Sequence, residues 1–176
     1  MDIKKKILNS NAKHRVKVEA LLQEFAKIPE ETLNRRPANG GWSAMQTAWH
    51  LLLAEELSYQ YVQKKLGFGG SFDTVGLAAK WRYFLLMVAL YLPISFKAPG
   101  ATSGENLPEH STVAELSERW VKSRADWTAF LSKMPDELAN KAVYKHPRAG
   151  KIGWMQMLTF FSVHFARHLR QIRKAL

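Results

Sequence analysis

Four long stretches of this chain repeat apolar side chains every three to four residues, each bounded by proline, glycine or a side-chain cap. That pattern restricts the fold to packed amphipathic helices. Residues 3–28 carry Ile3, Ile7, Leu8, Val18, Leu21, Leu22, Phe25 and Ile28 at helical spacing and stop at Pro29. After the breakers Pro37, Asn39, Gly40 and Gly41, Ser43-Ala44-Met45-Gln46 reads as a capping box, the hydroxyl accepting the N3 amide and the Gln side chain reaching back. The second helix is therefore expected from about Ala44 to about Lys65, where Gly67, Gly69 and Gly70 end it. A second box, Thr112-Val113-Ala114-Glu115, opens a third long helix with Leu116, Trp120, Trp127, Phe130, Leu131 and Met134 before Pro135. The last helix follows Gly150 and Gly153 and runs through Met157, Leu158, Phe161, Phe165, Leu169 and Ile172.

Between the second and third of these, Leu77, Trp81, Phe84, Leu85, Val88, Tyr91 and Leu92 mark a middle helix over residues 75–92, closed by Pro93. It is apolar on most sides and so expected to be buried or paired. Residues 95–110, with Pro99, Gly100, Gly104 and Pro108, read as a long loop, a candidate lid or pocket wall. No strand-like alternation competes. The expected fold is all-α, an antiparallel four-helix bundle with one extra helix inserted between helices 2 and 3, forming a single domain over residues 1–176.

A chain of 176 residues buries roughly 70% of its unfolded surface and needs no staple to fold. The absence of cysteine excludes disulfides, thiolate zinc sites, iron–sulfur clusters and a cysteine nucleophile. The opening Met1-Asp2-Ile3-Lys4-Lys5-Lys6 has no apolar core of signal-peptide length, and the run 84–94 is far short of the roughly 20 residues of a membrane helix. The expectation is a cytoplasmic protein without a membrane partner. The net charge is +11, and after Glu137 the chain has eight basic residues and no acidic one. Such a stripe could bind nucleic acid or an anionic surface. No helix-turn-helix, zinc-finger or RNP-type pattern accompanies it, so a solvated face, or a field steering an anionic cosubstrate, is the preferred reading. The tryptophans, Trp42, Trp49, Trp81, Trp120, Trp127 and Trp154, fit core spacings and read as packing, Trp42 and Trp154 as anchors near helix starts.

Of six histidines, His164 and His168 are four apart in the last helix. That spacing puts both rings on one face about 6 Å apart along the axis, within reach of one ion, although an ordinary solvated face can carry the same pair. His50 lies in the apolar context Ala48-Trp49-His50-Leu51-Leu52-Leu53, where an unpartnered imidazole is costly to bury. If the second and last helices are neighbours, three neutral imidazoles can converge on one divalent first-row metal. The alternative is a core histidine donating one hydrogen bond.

Three segments carry a resemblance: Gly41-Trp42-Ser43-Ala44-Met45-Gln46-Thr47-Ala48-Trp49-His50-Leu51, His146-Pro147-Arg148-Ala149-Gly150-Lys151-Ile152, and His164-Phe165-Ala166-Arg167-His168-Leu169-Arg170-Gln171-Ile172. In these the chain resembles the DinB-like superfamily of bacterial four-helix-bundle proteins, which includes metal-dependent hydrolases and thiol S-transferases using small thiols such as bacillithiol or mycothiol. The resemblance implies a DinB-like bundle over the whole chain, a nickel or zinc ion held by His50, His164 and His168, a small-molecule substrate and a homodimer. Residues 67–110 match nothing diagnostic, so no substrate class carries over. His146 reads either as a residue approaching the site or as a surface histidine beside Pro147, and His14 and His110 read as surface residues.

Three histidines add no negative charge, so a divalent ion held by them would keep its Lewis acidity and acidify a water or an exogenous small thiol. Glu55 and Glu56, five and six residues after His50, point away from its stripe. Gln46 and Thr47 share the stripe but are not bases; with Gln171 and His146 they are the candidate substrate contacts, Gln171 alternatively supporting the ligand set. No catalytic acid or base is identified. Attack by a thiol or water activated at the ion, more than demanding amide hydrolysis, suits such a site, and so does metal binding without catalysis.

Overall fold

The computed structural model describes residues 2–69, 72–92, 102 and 104–176. Its elements are α1 (Ile3–Phe25), α2 (Glu30–Asn34), α3 (Ala44–Gly67), α4 (Leu77–Tyr91), α5 (Val113–Lys133), β1 (Tyr144–His146), β2 (Gly150–Ile152) and α6 (Trp154–Ala175), with short 3₁₀ turns at Gly104–Asn106 and Asp136–Leu138. Both expected capping boxes are made: Ser43 Oγ accepts the Gln46 N–H at 3.0 Å, and Gln46 Oε1 accepts the Ser43 N–H at 3.2 Å. Thr112 and Glu115 do the same for α5. At α6, Gln156 Oε1 accepts the Gly153 N–H, and glycine has no hydroxyl to complete the reciprocal bond.

The four long helices form the bundle. α1 and α3 occupy opposite corners, and each packs against both α5 and α6. One cluster gathers Val18, Leu21, Leu22 and Phe25 of α1 with Met45, Ala48 and Leu52 of α3, Leu116 and Trp120 of α5, and Phe165 and Ile172 of α6. The other joins Ile7, Val62, Trp127, Leu131, Trp154, Met157, Leu158 and Phe161. Each fully buried aliphatic or aromatic side chain contributes roughly 1.5–3 kcal/mol. The ends that share a cluster set the directions: α1 runs antiparallel to α5 and α3 antiparallel to α6, as expected, while α3 and α5 run the same way. The long connection through α4 makes that crossover possible. Among the described residues no helix is long and apolar enough to cross a membrane.

Three features depart from the sequence reading. α1 ends at Phe25 rather than at Pro29, and the short α2 follows, tied to the start of α5 by Ser111 N–H donating to Asn34 Oδ1 at 3.0 Å and Asn34 Nδ2 donating to the Ser111 carbonyl at 2.9 Å. An antiparallel hairpin pairs Tyr144 with Ile152 and His146 with Gly150. Its strands are three residues each, too short to show an alternation, and Gly150 makes the turn at φ +78°. Finally, α4 is not buried on most sides. The bundle's four corners are filled, so α4 lies outside it against α6 and β2, burying Ala79, Leu86 and Leu90 and leaving Trp81 61% exposed. Trp81 is therefore not a packing residue. Of the loop expected over residues 95–110, residues 95–101 and 103 lie outside the described residues, as do Pro93 and Gly70.

Candidate metal centre

The capping box starts α3 at Ala44 and so sets His50 in its second turn, on the side facing α6. α6 runs in the opposite direction and presents His164 and His168 from one face. The ring centroids of His50 lie 5.2 Å from His164 and 4.8 Å from His168, and the α6 pair are 4.5 Å apart. The Nε2 atoms converge: His164 Nε2 is 3.3 Å from that of His50 and 3.0 Å from that of His168. Two nitrogens each about 2.0–2.1 Å from one ion, at angles between a right angle and the tetrahedral value, stand about 2.8–3.4 Å apart.

The outer nitrogens decide what the inner ones can do. His50 Nδ1 lies 2.9 Å from the Thr102 carbonyl, which only accepts, so Nδ1 carries the proton and Nε2 presents a lone pair. His168 Nδ1 donates to Gln171 Oε1 at 3.0 Å, with the same consequence for its Nε2. His164 Nε2 sits between the two and brings at most one hydrogen for two lone pairs. A cation satisfies all three, and the outer bonds are of the kind that orient metal-ligating imidazoles. Burial lowers the pKa of His50, partly opposed by the Thr102 bond. Burial and the neighbouring His168 and His50 hold His164 well below the usual histidine value, and burial with His50 brings His168 down to about 3. All three are thus neutral at pH 7, as ligation requires. His50, His164 and His168 could hold one metal ion, their ligand atoms all lying within 4.8 Å of one another. Among the described residues no carboxylate joins that group.

A match of residues 14–172 to the family model of the DinB superfamily accompanies this geometry. The chain belongs to the DinB superfamily. No curated protein and no solved structure matches it.

The walls of this DinB-superfamily site are aromatic. Trp42, on the segment before α3, packs at 5.0 Å from the His50 ring, and Phe160 stacks on His164 at 5.1 Å with 14° between planes. Trp42 acts here as more than an anchor. Phe160 was not singled out by the sequence, although its position four residues before His164 places it on the same face. The Thr102 carbonyl was also missed, being a main-chain group in a loop without a motif. Thr102 nevertheless belongs to the stretch read as a pocket wall, and Pro108 of that stretch accepts from Gln46 Nε2 at 3.4 Å.

Gln46 and Thr47 are buried, and their side chains serve the start of α3: Gln46 in the capping box, Thr47 Oγ1 donating to the Ser43 carbonyl at 2.9 Å. Gln171 meets the histidine group directly, through its bond to His168 Nδ1. His146 is not a surface residue. The hairpin turn folds over it, its Nδ1 accepting the N–H groups of Arg148 and Ala149 at 3.1 and 3.2 Å, and its ring lies 4.5 Å from Phe160. Burial, with Arg148, lowers its pKa to about 4.

His14 is also not at the surface. It is fully buried, its Nε2 2.7 Å from Glu55 Oε1, because α1 turns that face inward toward α3. His110 is exposed, as expected. Glu55 and Glu56 do point away from His50, His164 and His168, Glu55 toward His14 and Arg124, each at 2.7 Å, and Glu56 toward Arg119 at 2.6 Å.

Proposed function

We propose that this chain is a metal-dependent enzyme in which His50, His164 and His168 hold one divalent first-row cation, nickel or zinc, and that it transfers a small exogenous thiol to an electrophilic small molecule. The observation that carries the reading is the pair of lone pairs at His50 and His168, fixed by Thr102 and Gln171 and aimed at the same point as His164 Nε2. When bound, such a cation supplies Lewis acidity to a thiol or a water at its open coordination position.

The chain's own groups do the rest. Thr102 and Gln171 keep two rings in one tautomer and orientation. Trp42 and Phe160 present apolar walls beside the His50 and His164 rings. In the transfer the thiol sulfur bonds to the electrophilic carbon, the leaving group departs with its bonding pair, and the thiol proton passes to solvent. The absence of a carboxylate among the described residues of the group favours thiol transfer over hydrolysis, which requires a base for water and an acid for the leaving group.

The test is elemental analysis of the purified, tag-free protein beside the triple replacement of His50, His164 and His168 by Ala, followed by a panel of small thiols and electrophiles. About one equivalent of metal, lost in the triple variant together with thiol consumption, is the expected result. Full metal content in the triple variant overturns the site. Intact metal with water but no thiol consumed transfers the reading to a hydrolase, and metal without turnover reduces it to a binding protein.

A further inference from the structure

α4 is apolar on two opposite faces. One holds Ala79, Leu86 and Leu90 against the body of the protein. The other carries Leu77, Trp81, Phe84, Leu85, Val88 and Tyr91, which at 100° per residue fall within about 120° of one another. All six are exposed, Leu77 at 83%, Tyr91 at 68% and Trp81 at 61%. The helix is firmly seated. Tyr83 Oη donates to the Gln156 carbonyl at 3.0 Å, and Arg167 Nη1 donates to the carbonyls of Leu90 and Leu92 at 3.1 and 2.9 Å. A continuous apolar stripe on a fixed helix marks a contact surface.

The charge around the stripe says what it contacts. Exposed Lys80 and Arg82 flank it on either side, and neither α4 nor the elements it packs on, β2 and α6, contain an acidic residue. Lys145 adds exposed positive charge on the hairpin, while Lys151, also exposed, lies 3.6 Å from the carboxylate of Asp73. A second copy docked on this face would bring like charges together on two chains of net charge +11. A bilayer bearing anionic headgroups satisfies both features, since its acyl boundary takes Leu, Phe and Val, its headgroup level takes Trp and Tyr, and its surface charge attracts the lysines and arginines.

We infer that α4 is a peripheral membrane anchor, lying in the headgroup layer of an anionic bilayer with Leu77, Trp81, Phe84, Leu85, Val88 and Tyr91 inserted. This is independent of the metal site. The helix lies along the surface and spans nothing.

The test is co-sedimentation of the full-length protein with phosphatidylcholine vesicles containing about 30% phosphatidylglycerol, beside pure phosphatidylcholine. Binding to the anionic vesicles is expected, weakened roughly tenfold or more in pure phosphatidylcholine, in Phe84→Glu, and in the double variant Lys80→Glu/Arg82→Glu. Quenching of tryptophan emission by brominated lipid is expected in the parent and reduced in Trp81→Phe. Leu77→Glu, in the first turn of α4, repeats the Phe84→Glu test if circular dichroism shows that variant misfolded. Failure to bind anionic vesicles at low salt overturns the inference. So does binding unchanged by both stripe variants, which would place the contact on basic residues elsewhere. A dimer in sedimentation velocity that Phe84→Glu dissociates also overturns it and assigns the stripe to a second copy.

Discussion

Replacing Glu55 by Gln tests the polar network on which the middle of the bundle rests. Glu55 accepts from Arg124 Nη1 at Oε2 and lies against His14 Nε2 at Oε1, both at 2.7 Å; Arg124 also donates to Asn11 Oδ1, and Asn11 Nδ2 donates to Thr128 Oγ1 at 3.0 Å. These residues come from α1, α3 and α5, and His14, Asn11, Glu55 and Arg124 are all buried. The amide keeps the shape of the carboxylate and removes its charge, leaving the Arg124 guanidinium buried without a counter-ion. Breaking a buried pair in this way costs about 3–5 kcal/mol, which for a domain of this size lowers Tm by on the order of 10 °C.

The pH dependence has a definite sign. Burial pushes the Glu55 carboxyl up, but the charges and hydrogen bonds of His14 and Arg124 override it and bring the pKa from 4.5 to about 2. A carboxyl depressed in the folded state stabilises it fully above the unfolded pKa, and that contribution fades as pH falls from about 4.5 toward 2, with roughly 3 kcal/mol at stake. Thermal unfolding of parent and variant from pH 7 down to pH 3 measures it. The gap in Tm should be widest at neutral pH and narrow in acid, and Glu55→Gln combined with Arg124→Met should recover most of the loss by removing the stranded charge. A Glu55→Gln midpoint within about 2 °C of the parent at pH 7 refutes the reasoning.

Gln171→Ala removes the acceptor that orients His168, and isothermal titration with nickel or zinc should show affinity weakened roughly tenfold with Tm of the metal-free protein unchanged. Ser43→Ala deletes one arm of the α3 capping box and should cost about 1 kcal/mol in urea unfolding while metal stoichiometry stays at the parent value, because Gln46, Thr47 and the rest of α3 keep His50 in register.

The long helices and two of their starts were legible because capping is local: Ser43 and Thr112 act on amides three residues away. His164 and His168 were legible for the same reason, since one helix sets their spacing. His50 required the further assumption that α3 and α6 are neighbours, which the apolar context around it made reasonable and the packing supplies. What escaped depends on contacts between distant segments. His14 sits between Lys13 and Arg15 and looks solvated, yet its partner Glu55 is 41 residues away and looks equally solvated on its own. The Thr102 carbonyl leaves no trace in side-chain chemistry. The outward face of α4 has the residues of a core helix, and only the filled corners of the bundle show that it is not one.

The charge balance of the site follows from where the carboxylates went. Three neutral imidazoles would leave both charges of a divalent cation uncompensated, and Glu55 and Glu56, the acids nearest His50 along α3, are held by Arg124 and Arg119. No acidic residue follows Glu137, so α6 contributes none. On the proposed function, the balancing negative charge would come from an anionic ligand or from a water or thiol that gives up its proton at the site. An ionised thiol or a carboxylate-bearing substrate supplies it, and the basic surround raises its local concentration at the site. On the proposed function, the same histidine chemistry that would hold the ion would also favour anionic cosubstrates, without any residue of the chain having to recognise a particular one.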